Sequence, residues 1–239
     1  MTGTMARYFE ASEQTWPAAR RWDHGPFTLR DGKGGGQRVS AATASGAPSD
    51  AEITAAETAM QQAGQRPLFM MRGDTPELDA ALERRGYTVK DPTVVYTLPI
   101  AQLTDVPIPR VTAFDIWEPL AIMDEIWATD GIGPERRAVM ARTECKTGIL
   151  SRWNEKPAGA AFAAVHADIC MVHGVVVLPH QRRQGVAEWM MRRAAFWGQA
   201  QGAAKISVLC VRANTGANAL YQSMGFAEVG GYHYRQSPD

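Results

Sequence analysis

The stretch from His173 to Phe226 limits the fold more than any other part of the chain. It begins with the β-branched run Gly174-Val175-Val176-Val177-Leu178, closed by Pro179, which reads as a buried strand. The polar turn His180-Gln181-Arg182-Arg183-Gln184-Gly185 follows and opens a helix, Val186-Ala187 onward, that runs to about Ala200. A helix N-terminus presents unsatisfied main-chain N–H groups and a partial positive charge, which favour an anion. Gly185 permits close approach to the main chain, and Ala187 is small without weakening the helix. Arg182 and Arg183 add fixed charge and forked donors. A basic loop capping an ordinary helix would use the same residue types, so the loop needs a second signal.

That signal lies downstream. Lys205 to Val211 reads as a strand, and Asn214-Thr215-Gly216-Ala217-Asn218-Ala219-Leu220-Tyr221-Gln222-Ser223-Met224-Gly225-Phe226 as a capped helix ending at glycine. Arg182-x-x-Gly185-x-Ala187 resembles the pyrophosphate-binding signature of the GNAT superfamily of acyl-CoA-dependent N-acetyltransferases. Asn214-x-x-Ala217-x-x-Leu220-Tyr221-x-x-x-Gly225-Phe226 is similar to a second GNAT segment, in the right order and at the right separation.

The resemblance implies a GNAT fold, a mixed and mostly antiparallel α/β sheet flanked by helices. It also implies acetyl-CoA as acyl donor, with the cofactor held by Val175, Val176, Val177, Arg182, Arg183, Gln184, Gly185, Val186, Ala187, Asn214, Ala217 and Tyr221. In the family the matching tyrosine donates a proton to the departing thiolate. Tyr221, two turns after Asn214 and with an ordinary pKa of about 10, suits that role. An aromatic packing the helix on the sheet would look the same, and Asn214 serves equally as a plain N-cap. His173 is the candidate base, on the reading that it shares a face with Met171, Val175 and Val177; a satisfied core histidine is the alternative. Glu125 and Asp130 are further candidates for holding the acceptor amine. A backbone N–H of the central strand would support the developing oxyanion.

The second half reads in order as strand (Arg110–Phe114), helix capped by Asp115, helix from Pro134, three strands, and then the motifs above. The first half has a helix-rich Ala6–Trp22 after a lead-in over Met1–Met5. A strand at Gly25–Arg30 and its return over Arg38–Thr43 would flank the turn Asp31–Gly36. That glycine run lacks the Gly-Lys-Ser/Thr ending of a phosphate loop, so a hairpin is the reading. Ser49 caps a helix ended by Gly64, Pro67–Arg72 is a strand, Thr75-Pro76 opens another helix, and Val94–Leu98 is a strand. The segment Met71-Arg72-Gly73-Asp74-Thr75…Leu82…Gly86-Tyr87 is echoed by Val211-Arg212-Ala213-Asn214-Thr215…Leu220…Gly225-Phe226. The organisation expected is a degenerate GNAT-like half over 1–98, a proline-rich linker over 99–109 and a catalytic GNAT domain over 110–239. Where the second copy has its basic loop, the first has Ala44-Ser45-Gly46-Ala47-Pro48-Ser49, uncharged and short of one donor at Pro48, so its cofactor site should be lost.

Lysine plus arginine equals aspartate plus glutamate at 25 each, which gives no global field for nucleic acid or a membrane surface. Cys145, Cys170 and Cys210 have no metal-ligand spacing, so no metal is expected, and free thiols fit a reducing, cytoplasmic setting. The function expected is transfer of an acetyl group to a primary amine of a small molecule or peptide. A homodimer stays open. The alternative is a non-catalytic acyl-CoA-binding or regulatory module.

Overall fold

Two sheets account for the strands of the computed structural model, which describes residues 3–238. The chain opens with helix α1 (Gly3–Thr15). Gly3 to Met5 are therefore helical rather than lead-in, and Met1 and Thr2 lie outside the described residues. Strands β1 (Arg20–His24) and β2 (Phe27–Asp31) form a hairpin through Gly25-Pro26, with β3 (Thr43–Ala44) on the far side of β2. Helix α2 (Asp50–Gln62) starts at Ser49, the cap its sequence predicts, and the structure adds a full capping box with Glu52. Then come β4 (Leu68–Met71), α3 (Pro76–Arg84) and β5 (Thr88–Pro99).

The rest of the chain comprises β6 (Ala113–Ile116), α4 (Ala121–Ala128), α5 (Pro134–Arg142), β7 (Lys146–Trp153), β8 (Lys156–His166), β9 (Ile169–Val177), α6 (Val186–Ala200), β10 (Lys205–Val211), α7 (Thr215–Ser223) and β11 (Ala227–Gln236). Three further local expectations change. Ala6–Trp22, expected to be helix-rich, is helical only to Thr15, and Arg20–Trp22 belong to β1. Asp115 is not a helix cap. It lies in β6 and pairs with Arg193 of α6, because Pro119 cannot donate within a helix and delays α4 to Ala121. The return strand expected over Arg38–Thr43 is a single 3-10 turn, Gln37–Val39, followed by the short β3. The glycine run before it lies flat on α5. An added Cβ at Gly35 would meet the Val139 side chain at 2.5 Å. That approach leaves no room for a pleated pair.

The larger sheet has the order β4-β11-β5-β10-β9-β8-β7-β6. The stretch expected as a linker, 99–109, starts inside the fold: Pro99 ends β5, a 3-10 turn over Ile100–Leu103 buries Ile100 and Leu103 in the core shared with α6, and the sheet runs across the two halves. β5 sits between β10 and β11, antiparallel to both, and β4 pairs with β11. Exchanging the halves (β4 for β10, β5 for β11) maps β4-β11-β5-β10 onto itself reversed. Each half thus lends its last strand to the other. The relation extends outward, since the parallel pairing of β9 with β10 has a one-bridge counterpart between Ala42 and Phe69. The echo between Met71–Tyr87 and Val211–Phe226 covers β4–α3 and β10–α7 in matching order.

Helix α1 and helices α4 and α5 cover one face of this sheet, burying Tyr8, Phe9, Trp16, Met123, Trp127 and Met140. Helices α6 and α7 cover the other over Val172, Met190, Met191, Val208 and Tyr221. Val186, Met190 and Ala194 of α6 are buried at helical spacing, with Met191, Ala195 and Gly198 widening the stripe and Trp197 only half-buried at its end. No helix among the described residues is long and apolar enough to cross a membrane.

Candidate active site

Strands β9 and β10 pair only from Lys205↔Ile169 to Val208↔Val172 and then part. From His173 onward β9 keeps β8 but, among the described residues, has no strand partner on its β10 side. A bulge sets the separation. Ala160 faces Val176 and Phe162 faces His173, so two residues of β9, Gly174 and Val175, stand opposite one of β8. Gly174 takes φ +55°, where a side chain would be strained, and its carbonyl accepts from Trp127 Nε1 at 2.8 Å. Trp127 is fully buried, so α4 pins the bulge.

The bulge also corrects one expectation. His173 does not share a face with Val175 and Val177. The extra residue moves those two to the α6 side, while His173 lies with Met171 and Val176 under α1 and α4. There it is 5% exposed, stacked near Trp16 and Phe162 at 5.1 and 6.1 Å. Nε2 is 3.0 Å from Thr15 Oγ1 and Nδ1 is 3.2 Å from Arg38 Nη1. Arg38 can only donate, so Nδ1 accepts and Nε2 carries the proton. Burial, and then the Arg38 charge, hold this imidazole well below its ordinary pKa. It is a neutral, doubly hydrogen-bonded core histidine, a poor fit to the base role.

At the open end of β9 the chain turns through Pro179–Gln181 into the loop before α6. Arg182, Arg183, Gln184 and Gly185 are exposed. Arg183 and Gly185 both adopt left-handed φ, +65° and +74°, which curls the loop into a concave turn. The main-chain N–H groups of Gln184, Gly185, Val186 and Ala187 meet no protein acceptor among the described residues, and no side chain caps α6. Space above Gly185 is open, since an added Cβ would find nothing closer than the Trp189 ring at 3.8 Å. The corresponding start of α2 is closed. Ser49 caps it, and Asp50 and Glu52 occupy its first turn, whereas the first turn of α6 holds Glu188 alone, which pairs with Arg192. An anion is favoured at one helix and disfavoured at its counterpart.

Tyr221 packs beside the parted end of β10. It is 6% exposed, with its ring 5.9 Å from Tyr96 and 5.7 Å from Phe226. Burial, then the neighbouring Cys210, push its phenol above the ordinary value, so it is protonated at neutral pH. Asn214 is the N-cap of α7, its Oδ1 accepting from the Ala217 N–H at 3.1 Å. Glu125 and Asp130 are exposed on and after α4, whose buried side carries Met123, Ile126 and Trp127. Among the described residues no hydrogen bond or ring contact joins Tyr221 to His173, Glu125 or Asp130.

Two contributors went unread in the sequence. Tyr96, on β5 of the first half, donates to Asn218 Oδ1 at 3.0 Å and lies against Tyr221. Asn218 in turn donates to Val211 O and Asn214 O, tying α7 to the end of β10. The usable signal was the Val94-Val95-Tyr96 run, apolar on consecutive positions as a strand buried on both faces would be.

The sequence profile of the acetyltransferase (GNAT) family matches residues 115–226. This segment is a GNAT-family domain. It spans β6 to the start of β11 and holds both motifs. No curated protein sequence matches the chain. Among solved structures the whole chain is similar to a GCN5-related N-acetyltransferase from Kribbella flavida, at 21% identity and TM-score 0.75, covering 100% of this chain and 97% of that one. A functionally unknown conserved protein from Staphylococcus epidermidis superposes with TM-score 0.70 at 11% identity over 95% and 97% of the two chains. A tandem GNAT protein from the clavulanic acid biosynthesis pathway does so with TM-score 0.52 at 12% identity, over 79% and 70%. These likenesses establish the fold.

Proposed function

We propose that the chain is an N-acetyltransferase that moves an acetyl group from acetyl-CoA to a primary amine by direct transfer. The observation that carries this reading is the continuity of three features: the parted strand edge of β9, the uncapped basic turn at α6, and Tyr221 beside β10. The free edge over Val175–Val177 suits the amide-bearing pantetheine arm, which would add to β9 as a strand does. The main-chain donors at Gln184–Ala187, with Arg182 and Arg183, suit the pyrophosphate. The donor supplies an activated thioester. Tyr221 Oη holds the proton that the departing sulfur needs, and its burial keeps that proton in place at neutral pH. Asn214 and Ala217 form the cap that fixes α7 beside this cleft.

With His173 engaged on both nitrogens, the acceptor amine arrives neutral or loses its proton to solvent; Glu125 and Asp130 stand as exposed candidates to attract it. Free thiol release with acetyl-CoA over a panel of primary amines tests the reading, with longer acyl-CoAs beside it. Acceptor-dependent thiol release that Tyr221→Phe lowers by about 10²-fold or more, at unchanged CoA affinity by calorimetry, is the expected result. CoA binding with no turnover on any amine would instead favour a non-catalytic acyl-CoA-binding module.

A further inference from the structure

On the α1 side of the sheet, away from the basic turn of α6, a pocket of about 170 Å³ opens between α1, the β1–β2 hairpin, β4 and β11. Four guanidinium groups line it, those of Arg21, Arg30, Arg38 and Arg72, against one carboxylate, Glu13. Four positive charges less one negative leave three in excess.

Glu13 is fully committed. Its Oε1 accepts from Arg30 at 2.8 Å and Arg72 at 2.5 Å, and its Oε2 from Arg21 at 3.0 Å. Burial would raise its pKa, but Arg30 and Arg72 outweigh that and hold the carboxyl below its ordinary value. Arg38 has no acid at all among the described residues. It spends one of five N–H donors on His173 Nδ1 and lies 5.1 Å over the Trp16 ring. Arg38 is half-buried with Arg136 as a further positive neighbour, and a guanidinium withdrawn from water without a counter-charge is costly, a cost that an anionic ligand would relieve. The remaining walls are aromatic and apolar, with Phe9, Trp16, Val39 and Tyr232, and Arg72 lies 4.6 Å over the Phe9 ring. A volume of this order holds a ring-sized molecule.

We propose that this pocket binds a small organic carboxylate, its charged end forked on Arg38 and its body against Trp16 and Phe9. The forked geometry of Arg38 matches a carboxylate, and the aromatic walls favour an organic body over a bare inorganic ion. The site is separate from the CoA cleft and stands whether or not the chain transfers an acyl group.

Calorimetric titration with benzoate tests it, with benzamide and inorganic phosphate as the neutral and inorganic counterparts. Saturable benzoate binding, at least about tenfold tighter than benzamide, is expected, with a further loss of about tenfold in Arg38→Gln. Should Arg38→Gln fail to fold, Ala18→Phe blocks the same pocket with every arginine left in place and should abolish binding. The proposal is overturned if benzoate does not bind at millimolar concentration, if phosphate binds as tightly, or if both variants bind benzoate unchanged.

Discussion

Two buried titratable side chains, Tyr221 and His173, divide the chemistry at the scale of single residues. The sequence makes either a candidate for proton transfer, and their surroundings separate them. Tyr221 keeps its proton by burial beside the parted strand, which is what a donor needs. His173 is also buried, and its pKa, held down by burial and by the Arg38 charge, makes it a source of acid sensitivity. An unfolded histidine takes up a proton near pH 6.5 and the folded one does not, so the unfolded state binds more protons below that value. Stability should therefore fall as pH drops from about 6.5 toward the folded pKa, by at most about 1.4 kcal/mol per pH unit from this group. Urea unfolding at pH 6.5 and 5.5 checks this, and His173→Gln should flatten the slope by about 1 kcal/mol per pH unit. Thr15 and Arg38, the partners of the ring, are unchanged in that comparison.

At the scale of elements, the turn before α6 and its counterpart before α2 differ in what each offers an anion. Gly185→Ala puts a side chain on a left-handed residue, at a cost of about 1–2 kcal/mol, and a methyl over the open N–H groups. The expected outcome is a raised KM for acetyl-CoA with little change in kcat, read by thiol release. At α7, Asn214→Ala removes the N-cap and should lower stability by about 1 kcal/mol in urea unfolding. Both motif elements were legible in the sequence, because a glycine at a helix entry and an asparagine at a cap act through local rules. Other elements were less so. Asp115 resembles a cap until Pro119 is given its due, and the role of Arg38 in a turn depends on α5, distant in sequence, pressing on the glycine run. The bulge at Gly174 was hidden for a further reason. Alternation along β9 predicts the wrong face for His173 once one extra residue enters the strand.

For the whole molecule, the exchange of last strands sets the limits of any dissection. The repeat of strand, helix and Gly-aromatic was readable, whereas the exchange was not, since nothing in a strand's own pattern states which half it will join. A fragment of residues 108–239 lacks β5 and would leave β10 and β11 without the strand between them. It should fail to give a cooperative unfolding transition by circular dichroism. A single cut in the exposed stretch 105–107, by contrast, should leave both pieces together in size-exclusion chromatography, with the unfolding midpoint little changed. The same arrangement bears on synthesis at the ribosome. β5 is complete by residue 99, yet its neighbours β10 and β11 are made only after residue 205. For roughly ten seconds of translation the apolar Val94-Val95-Tyr96 run has no sheet to enter. During that interval the nascent first half is a partner for another copy of itself, and crowded polysomes are where this chain is most exposed to mispairing.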